Sequence, residues 1–271
     1  MTLPVRAIDC WVNPNLGQTP DQNADYLFPG LAERWARGTT LPQLIDEMDA
    51  AGVEKVILAS GYGHGDTLGW VKDAVRRHPD RLAASHIIDP REGMKAVQLV
   101  EELVRNEGYR LIRMMAFMTQ KPYDDAIYYP VYAKCAELGV PVSLNVGFPG
   151  PRVPSKSQDP MALDEVCHFF PELKIVMAHG GEPWTEVCVK LMLKWPNLYY
   201  MTSAFAPKYI PQTILRYLNS RGPDRVMWAS DYPVFTFERC ITEIGNLQFR
   251  DEATLAKFVA ENARRLFFSG K

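Results

Sequence analysis

Residues 174–202 read KIVMAHGGEPWTEVCVKLMLKWPNLYYMT. A short apolar run, Lys174–Ala178, leads into a glycine-containing turn. Glu186–Lys194 then places apolar residues at three- and four-residue spacing, the mark of a helix with one buried face. Leu198–Thr202 returns to a short apolar run. Both runs are nearly continuous in apolar residues, as strands covered on both faces are. The stretch therefore reads as strand, helix, parallel strand.

The same rhythm repeats outward in both directions. Further strands are predicted at Val5–Val12, Lys55–Ser60, Leu82–Ile88, Arg110–Met115, Pro141–Val146 and Val226–Ser230. Helical patterns fill the gaps at Leu41–Ala51, Glu92–Asn106, Ala126–Leu138 and Pro211–Asn219. The first of these begins at Thr40 with Gln43 three residues on, a capping-box pattern. Gly52, Gly108, Gly139 and Gly222 supply helix stops. Eight strands alternating with helices in 271 residues predict an α/β fold, a single-domain (β/α)₈ TIM barrel over 1–271. The rival is an open doubly wound sheet, but the first strand lacks the glycine-rich turn of a phosphate loop. Extra length falls at Asn13–Thr40 and Gly147–Pro160. Both stretches follow strand ends on the face where barrels keep their sites, so both are lid candidates.

Composition narrows the class. Hydrophobic residues are 47% and charged residues 23% of the chain, ordinary for a globular protein. The formal net charge of −2 gives no reason to expect nucleic acid as a partner. No apolar run approaches the ~18 residues of a membrane span, and Met1–Val12 lacks the pattern of a secretory leader. The five cysteines are scattered, with no C-x-x-C pair, which suits free thiols in a reducing cytoplasm.

Polar residues at the ends of otherwise apolar strands mark the candidate site. Asn13 ends the first strand, with Trp11 on the same side by alternation. Ser60 ends the second, Arg113 lies in the fourth, Asn145 in the fifth, His179 ends the sixth, Ser203 follows the seventh and Asp231 ends the eighth. A barrel converges these on one volume.

Here the sequence resembles a known family. KIVMAHGGEP (174–183), DRVMWASDYP (224–233), NARRLF (262–267) and NLYYMTS (197–203) resemble strands six and eight, the closing helix and strand seven of the amidohydrolase-related family. AIDCWVN (7–13) sits where that family's first strand lies. The branch includes aminocarboxymuconate-type decarboxylases and pyrone dicarboxylate lactonases. The resemblance implies a metal-binding His-x-His on strand one, where this chain has Trp11 and Asn13. It implies a third histidine near the end of strand five, where this chain has Asn145. Only His179 and Asp231 survive from the implied ligand set.

Two ligand-type residues are too few for a hydrolytic metal centre, which needs about three or four. Cys10 points away from Trp11 and Asn13. The chain is therefore expected to use no metal and no cofactor. Asn13 and Asn145 would polarise a carbonyl or be inert replacements for lost ligands. Asp231 and His179 would share proton transfer. Arg113 would bind a substrate carboxylate or be salt-bridged inside the barrel, and Trp11 would make the pocket floor apolar.

His64 is expected in a solvated loop, His86 in the core, and His78 and His168 at the surface. Tyr123, Tyr128, Tyr129 and Tyr132 are expected to pack or to form a subunit interface. The expectation is a metal-independent hydrolase of a small carbonyl compound (a lactone, ester or related organic acid) working by His179/Asp231 acid–base catalysis. A lyase (decarboxylase or hydratase) and a non-catalytic metabolite-binding barrel are the alternatives, and the resemblance suggests a homodimer.

Overall fold

The computed structural model describes residues 3–17, 24–61 and 67–269. Each of the eight apolar runs forms a strand: β1 (Ala7–Val12), β2 (Val53–Ser60), β3 (Leu82–Ile87), β4 (Leu111–Met114), β5 (Val142–Asn145), β6 (Ile175–Ala178), β7 (Leu198–Met201) and β8 (Val226–Met227). They pair in sequence order, every neighbour parallel. All six residues of β1 and all six of β3 are buried. That is what a strand between a packed barrel interior and a helical outer layer requires.

The ring closes between β1 and the segment after β8. The Cys10 amide donates to the Trp228 carbonyl at 3.4 Å and the Asn13 amide to the Tyr232 carbonyl at 2.8 Å. β8 is shorter than the sequence predicts, and the reason is a competing acceptor. The Trp228 amide donates to the Phe258 carbonyl of the C-terminal helical segment, at 3.0 Å, rather than to a strand.

The helices form as their caps direct. Leu41–Ala50 has the capping box in full, with Thr40 Oγ1 accepting from the Gln43 amide and Gln43 Oε1 accepting from the Thr40 amide. The other predicted helices appear as Met94–Arg105, Tyr129–Leu138, Thr185–Lys194 and Gln212–Leu218. Thr67–Arg77, Ala162–Phe169 and Phe237–Ile244 are helices the sequence reading left unassigned. In the last, Phe237, Cys240 and Ile244 are buried at the spacing of one helical face. No helix of the described residues is long and apolar enough to cross a membrane.

Asn262, in the NARRLF element, ties the C-terminal helix to the barrel. Its Nδ2 donates to the carbonyls of Pro223 at 2.7 Å and Val226 at 2.9 Å, and the residue is 1% exposed. Asn262→Leu strands two buried carbonyl oxygens and is expected to lower stability by about 2 kcal/mol. Urea denaturation measures this, and a change within about 0.5 kcal/mol would show that the tie is dispensable.

Candidate active site

A cavity of about 830 Å³ opens at the C-terminal ends of the strands. Trp11, Asn13, Ser60, Asn145, His179 and Asp231 all line it. Barrel geometry thus brings together residues from five strands or strand ends, from position 11 to position 231 of the chain. The two long loops border the same space, and Tyr26 Oη of the first donates to the Gly150 carbonyl of the second at 2.6 Å. His64 lies outside the described residues.

The polar floor is wired through β1. Trp11 Nε1 donates to Asn13 Oδ1 at 3.0 Å, which orients the amide so that Asn13 Nδ2 donates to Asp231 Oδ1 at 2.9 Å and to the Tyr232 carbonyl at 3.0 Å. His179 Nδ1 lies 2.8 Å from Ser203 Oγ, which also accepts from the His179 amide at 3.2 Å. The Trp11 and His179 rings lie 4.3 Å apart between centroids. Asn145 is 4% exposed, and its Oδ1 has no hydrogen-bond partner. Its backbone carbonyl is held by Tyr123 Oη at 2.7 Å.

Two residues of this floor have unusual backbones. His179 has φ 66° and Asp231 has φ 59°. That region disfavours residues with a Cβ, and such strain gathers at functional sites. Gly180 follows His179 at φ +85°, and a Cβ there would overlap the Phe205 ring, itself part of the cavity wall. Only glycine lets the sixth-strand turn present the imidazole while Phe205 packs behind it.

Burial sets the charges. It raises the Asp231 carboxyl to about 7, against the opposing pull of the Asn13 hydrogen bond and of Arg113. It lowers His179 to about 3, with the Arg113 charge adding to the effect. At neutral pH the imidazole is neutral and the carboxyl is poised between its two forms.

Arg113, expected near the cavity mouth or salt-bridged inside the barrel, is not among the residues that line the cavity, and among the described residues it has no carboxylate within 4 Å. Its side chain is fully buried, with the guanidinium carbon 3.4 Å from the Trp11 ring centroid. Nη2 donates to the Cys10 carbonyl at 3.0 Å, while Nε and Nη1 have no hydrogen-bond partner. Trp11, which lines the cavity, covers the guanidinium on that side. Burial lowers it to about 9, leaving it charged at neutral pH.

Sequence reading missed Asp9, which is fully buried and raised by burial to about 7. Its Oδ1 accepts from the amides of Trp11 and Ser230, each at 3.0 Å, and its Oδ2 has no partner. Alternation with Trp11 and Asn13 was the available signal. Arg34 and Arg239, which also line the cavity, were missed because they lie on helices beyond the strands. Other assignments placed outside the site are packed elsewhere. His86 Nδ1 lies 2.8 Å from Ser60 Oγ in the core, and Tyr123, Tyr128 and Tyr132 are buried behind the barrel wall.

A family model described as amidohydrolase matches residues 8–268. The chain belongs to the amidohydrolase family. Among solved structures, the uncharacterised TIM-barrel protein Bb4693 of Bordetella bronchiseptica aligns with a TM-score of 0.79 at 22% identity, over 96% of this chain and 97% of that one. The 2,6-dihydroxybenzoate decarboxylase from Rhizobium aligns at 0.74 and 18%, over 97% and 99%. The 5-carboxyvanillate decarboxylase LigW of Sphingomonas paucimobilis aligns at 0.73 and 18%, also over 97% and 99%. At these identities the likeness is one of fold. No curated protein sequence matches the chain.

The residues present do not fit the metal that the family resemblance implies. Trp11 has no free donor pair and commits its N–H to Asn13. Asn13 turns its amide nitrogen, not its oxygen, toward Asp231. Among the described residues no group of three His, Cys, Asp or Glu side chains could hold an ion. The positive charge felt by Asp231 and His179 comes from Arg113.

Asp231 holds its proton more tightly when folded, at about 7, than at its ordinary value of 3.8. The folded state therefore binds more protons than the unfolded state across that window, and the contribution of Asp231 to stability falls as pH rises through it. Asp231→Asn removes this dependence. Stability of the variant relative to the parent should rise by about 2 to 3 kcal/mol between about pH 5 and about pH 8. Chemical denaturation at both pH values tests it, and a constant difference would mean that the carboxyl titrates normally.

Proposed function

We propose that this protein is a metal-independent lyase that decarboxylates a small aromatic or unsaturated acid. The observation that supports the reading best is the pairing of a protonatable buried carboxyl, Asp231, with a neutral imidazole, His179, at the base of a cavity whose wall includes several aromatic side chains, among them Phe28, Phe205 and Phe235. The decarboxylase names of two fold relatives agree with it.

The chemistry needs one proton on carbon and an environment that favours loss of charge. Asp231 in its acid form delivers the proton to the substrate carbon that bears the carboxylate. A π pair of the substrate forms the new C–H bond; the C–C bond then breaks, carbon dioxide leaves, and the electron pair of the broken bond restores the π system, while Asp231 recovers a proton from solvent. Asn13 holds the carboxyl group in place through Oδ1. When Ser203 donates to Nδ1, His179 keeps its hydrogen on Nε2, where it can donate to a substrate oxygen. Trp11 and the aromatic walls exclude water, which destabilises the substrate carboxylate relative to neutral carbon dioxide.

Hydrolysis is the second reading, because Asp231 in its ionised form could deprotonate a water beside His179. The two reactions place solvent atoms differently. In heavy water, decarboxylation puts deuterium on product carbon; in ¹⁸O-water, hydrolysis puts the label on a product carboxylate.

With 2,6-dihydroxybenzoate and related hydroxyaryl acids as substrates, the expected result is carbon dioxide release with one deuterium on the ring. The rate should persist after exhaustive chelation and should fall as pH rises through about 7, as Asp231 loses its proton. Asp231→Asn should cost about 10²- to 10⁴-fold in turnover. Loss of activity on chelation with recovery on adding zinc or manganese would refute metal independence. Label in a carboxylate rather than on carbon would replace the lyase with the hydrolase.

A further inference from the structure

The cavity is larger than the reaction at its floor requires. Its volume of about 830 Å³ lies in the range, about 300–1,000 Å³, that takes drug-sized ligands. A single-ring acid held at Asp231 and His179 leaves much of that space unfilled.

The mouth is apolar and open to solvent. Tyr26 and Leu27, from the segment after β1, are 46% and 47% exposed. Phe148, after β5, and Tyr209, after β7, are each 65% exposed. All four also line the cavity. Three of them are visibly held in place. Tyr26 Oη donates to the Gly150 carbonyl at 2.6 Å, and the Arg152 guanidinium lies 4.5 Å from the centroid of its ring. The Phe148 amide donates to the Glu182 carbonyl at 3.0 Å, and its ring meets Trp184 edge to face at 5.9 Å. The Tyr209 amide donates to the Ala206 carbonyl at 2.8 Å, and Lys208 Nζ lies 4.9 Å from its ring centroid. Positioned apolar groups that face water around one opening mark a surface that another molecule covers.

The occupant follows from where these side chains sit. They come from three separate connections of the barrel and converge on the cavity that holds Asp231 and His179. The wall of that cavity also carries Phe28 and Phe235, which meet edge to face at 5.6 Å. One continuous space therefore has a polar, reactive floor and an apolar rim.

We propose that the substrate is an amphipathic acid: an aromatic or unsaturated acid carrying an apolar alkyl or aryl substituent that reaches the rim and is covered there by Leu27, Phe148 and Tyr209. The inference rests on the reading of the floor as the place where the carboxylate reacts, and it adds what lies at the other end of the molecule. The substituent is chemically unchanged by the reaction. Its burial is the same in the ground state and the transition state, so it supplies affinity and orientation and leaves the bond-breaking step to the floor. Each methylene taken fully out of water raises affinity about 4-fold, and less where the rim covers it only in part.

The test is binding, read without turnover. Isothermal titration at neutral pH would compare benzoate with its 4-ethyl, 4-butyl and 4-hexyl derivatives. On the parent protein, affinity should rise at least about 2-fold per methylene along the series. In Phe148→Ser and Tyr209→Ser the gain per methylene should shrink for the longer chains. Phe148→Leu keeps an apolar side chain and should restore most of the gain, which separates loss of apolar cover from misfolding.

Affinity that stays flat along the series, or no binding of any member up to about 10 mM, would overturn the proposal. So would a rise that both serine variants keep in full, because the chain would then lie elsewhere. Two other occupants of the rim have their own signatures. Co-sedimentation with phosphatidylcholine vesicles, or a dimer in sedimentation velocity, found in place of the chain-length gain and abolished by Phe148→Ser, would assign the rim to a lipid surface or to a second copy of the chain and overturn the substrate reading. A failed rim appears in the titration, and a failed decarboxylase reading appears in the solvent-label experiment.

Discussion

A fully buried guanidinium is the constraint around which the barrel is organised. Arg113 brings a positive charge inside the wall, and burial alone would make it untenable. Three things make it tolerable. The Trp11 ring covers one face at 3.4 Å, the Cys10 carbonyl takes one N–H, and the carboxyls of Asp9 and Asp231 supply opposing charge. Trp11 therefore serves more than a space-filling purpose: it stacks on the cation and forms the cavity floor. A divalent ion beside this guanidinium would meet repulsion as well as a shortage of donors. The substitutions at positions 11 and 13 and the presence of Arg113 belong to one electrostatic arrangement.

That arrangement explains why two carboxyls inside one barrel are both raised to about 7 rather than held as a pair of full charges. Burial disfavours two anions near each other, and one guanidinium does not compensate both. The pair can share fewer than two negative charges near neutrality, so a proton is available at Asp231 where the cavity meets it. His179 feels the same cation and the same burial and stays neutral. Its partner is Ser203, a residue more easily read as structural, and that contact is what sets the direction in which the ring nitrogen faces.

The barrel was legible because it is written in periodicity. Short apolar runs separated by helical spacing carry strand order and parallel pairing, and the capping box at Thr40 formed as written. Strand eight and three helices were less legible. The end of β8 depends on a tertiary acceptor, Phe258, that no local pattern announces. Of the site, the residues at strand ends were readable, since a polar side chain in an apolar strand is a local anomaly. Arg113 shows the limit of that logic: alternation correctly sends it inward, but depth along the barrel decides whether it meets ligand or Trp11. Asp9 carried the same anomaly as Asn13, and proximity to the strand's start hid it. Arg34 and Arg239 sit among other charged helix residues and become distinctive only when the fold turns them toward one cavity.

The chemistry of the floor follows from where charge can be afforded. At the floor, Asp231 and His179 are near neutral, and a substrate carboxylate placed there has the Trp11 ring between it and the Arg113 guanidinium. Such a carboxylate is poorly solvated, and losing it as carbon dioxide relieves the deficit. A hydrolase has less use for this deficit, because its developing oxyanion needs donors or a cation at the floor, where this chain offers only Asn145, His179 and the amide of Asn13 already committed to Asp231.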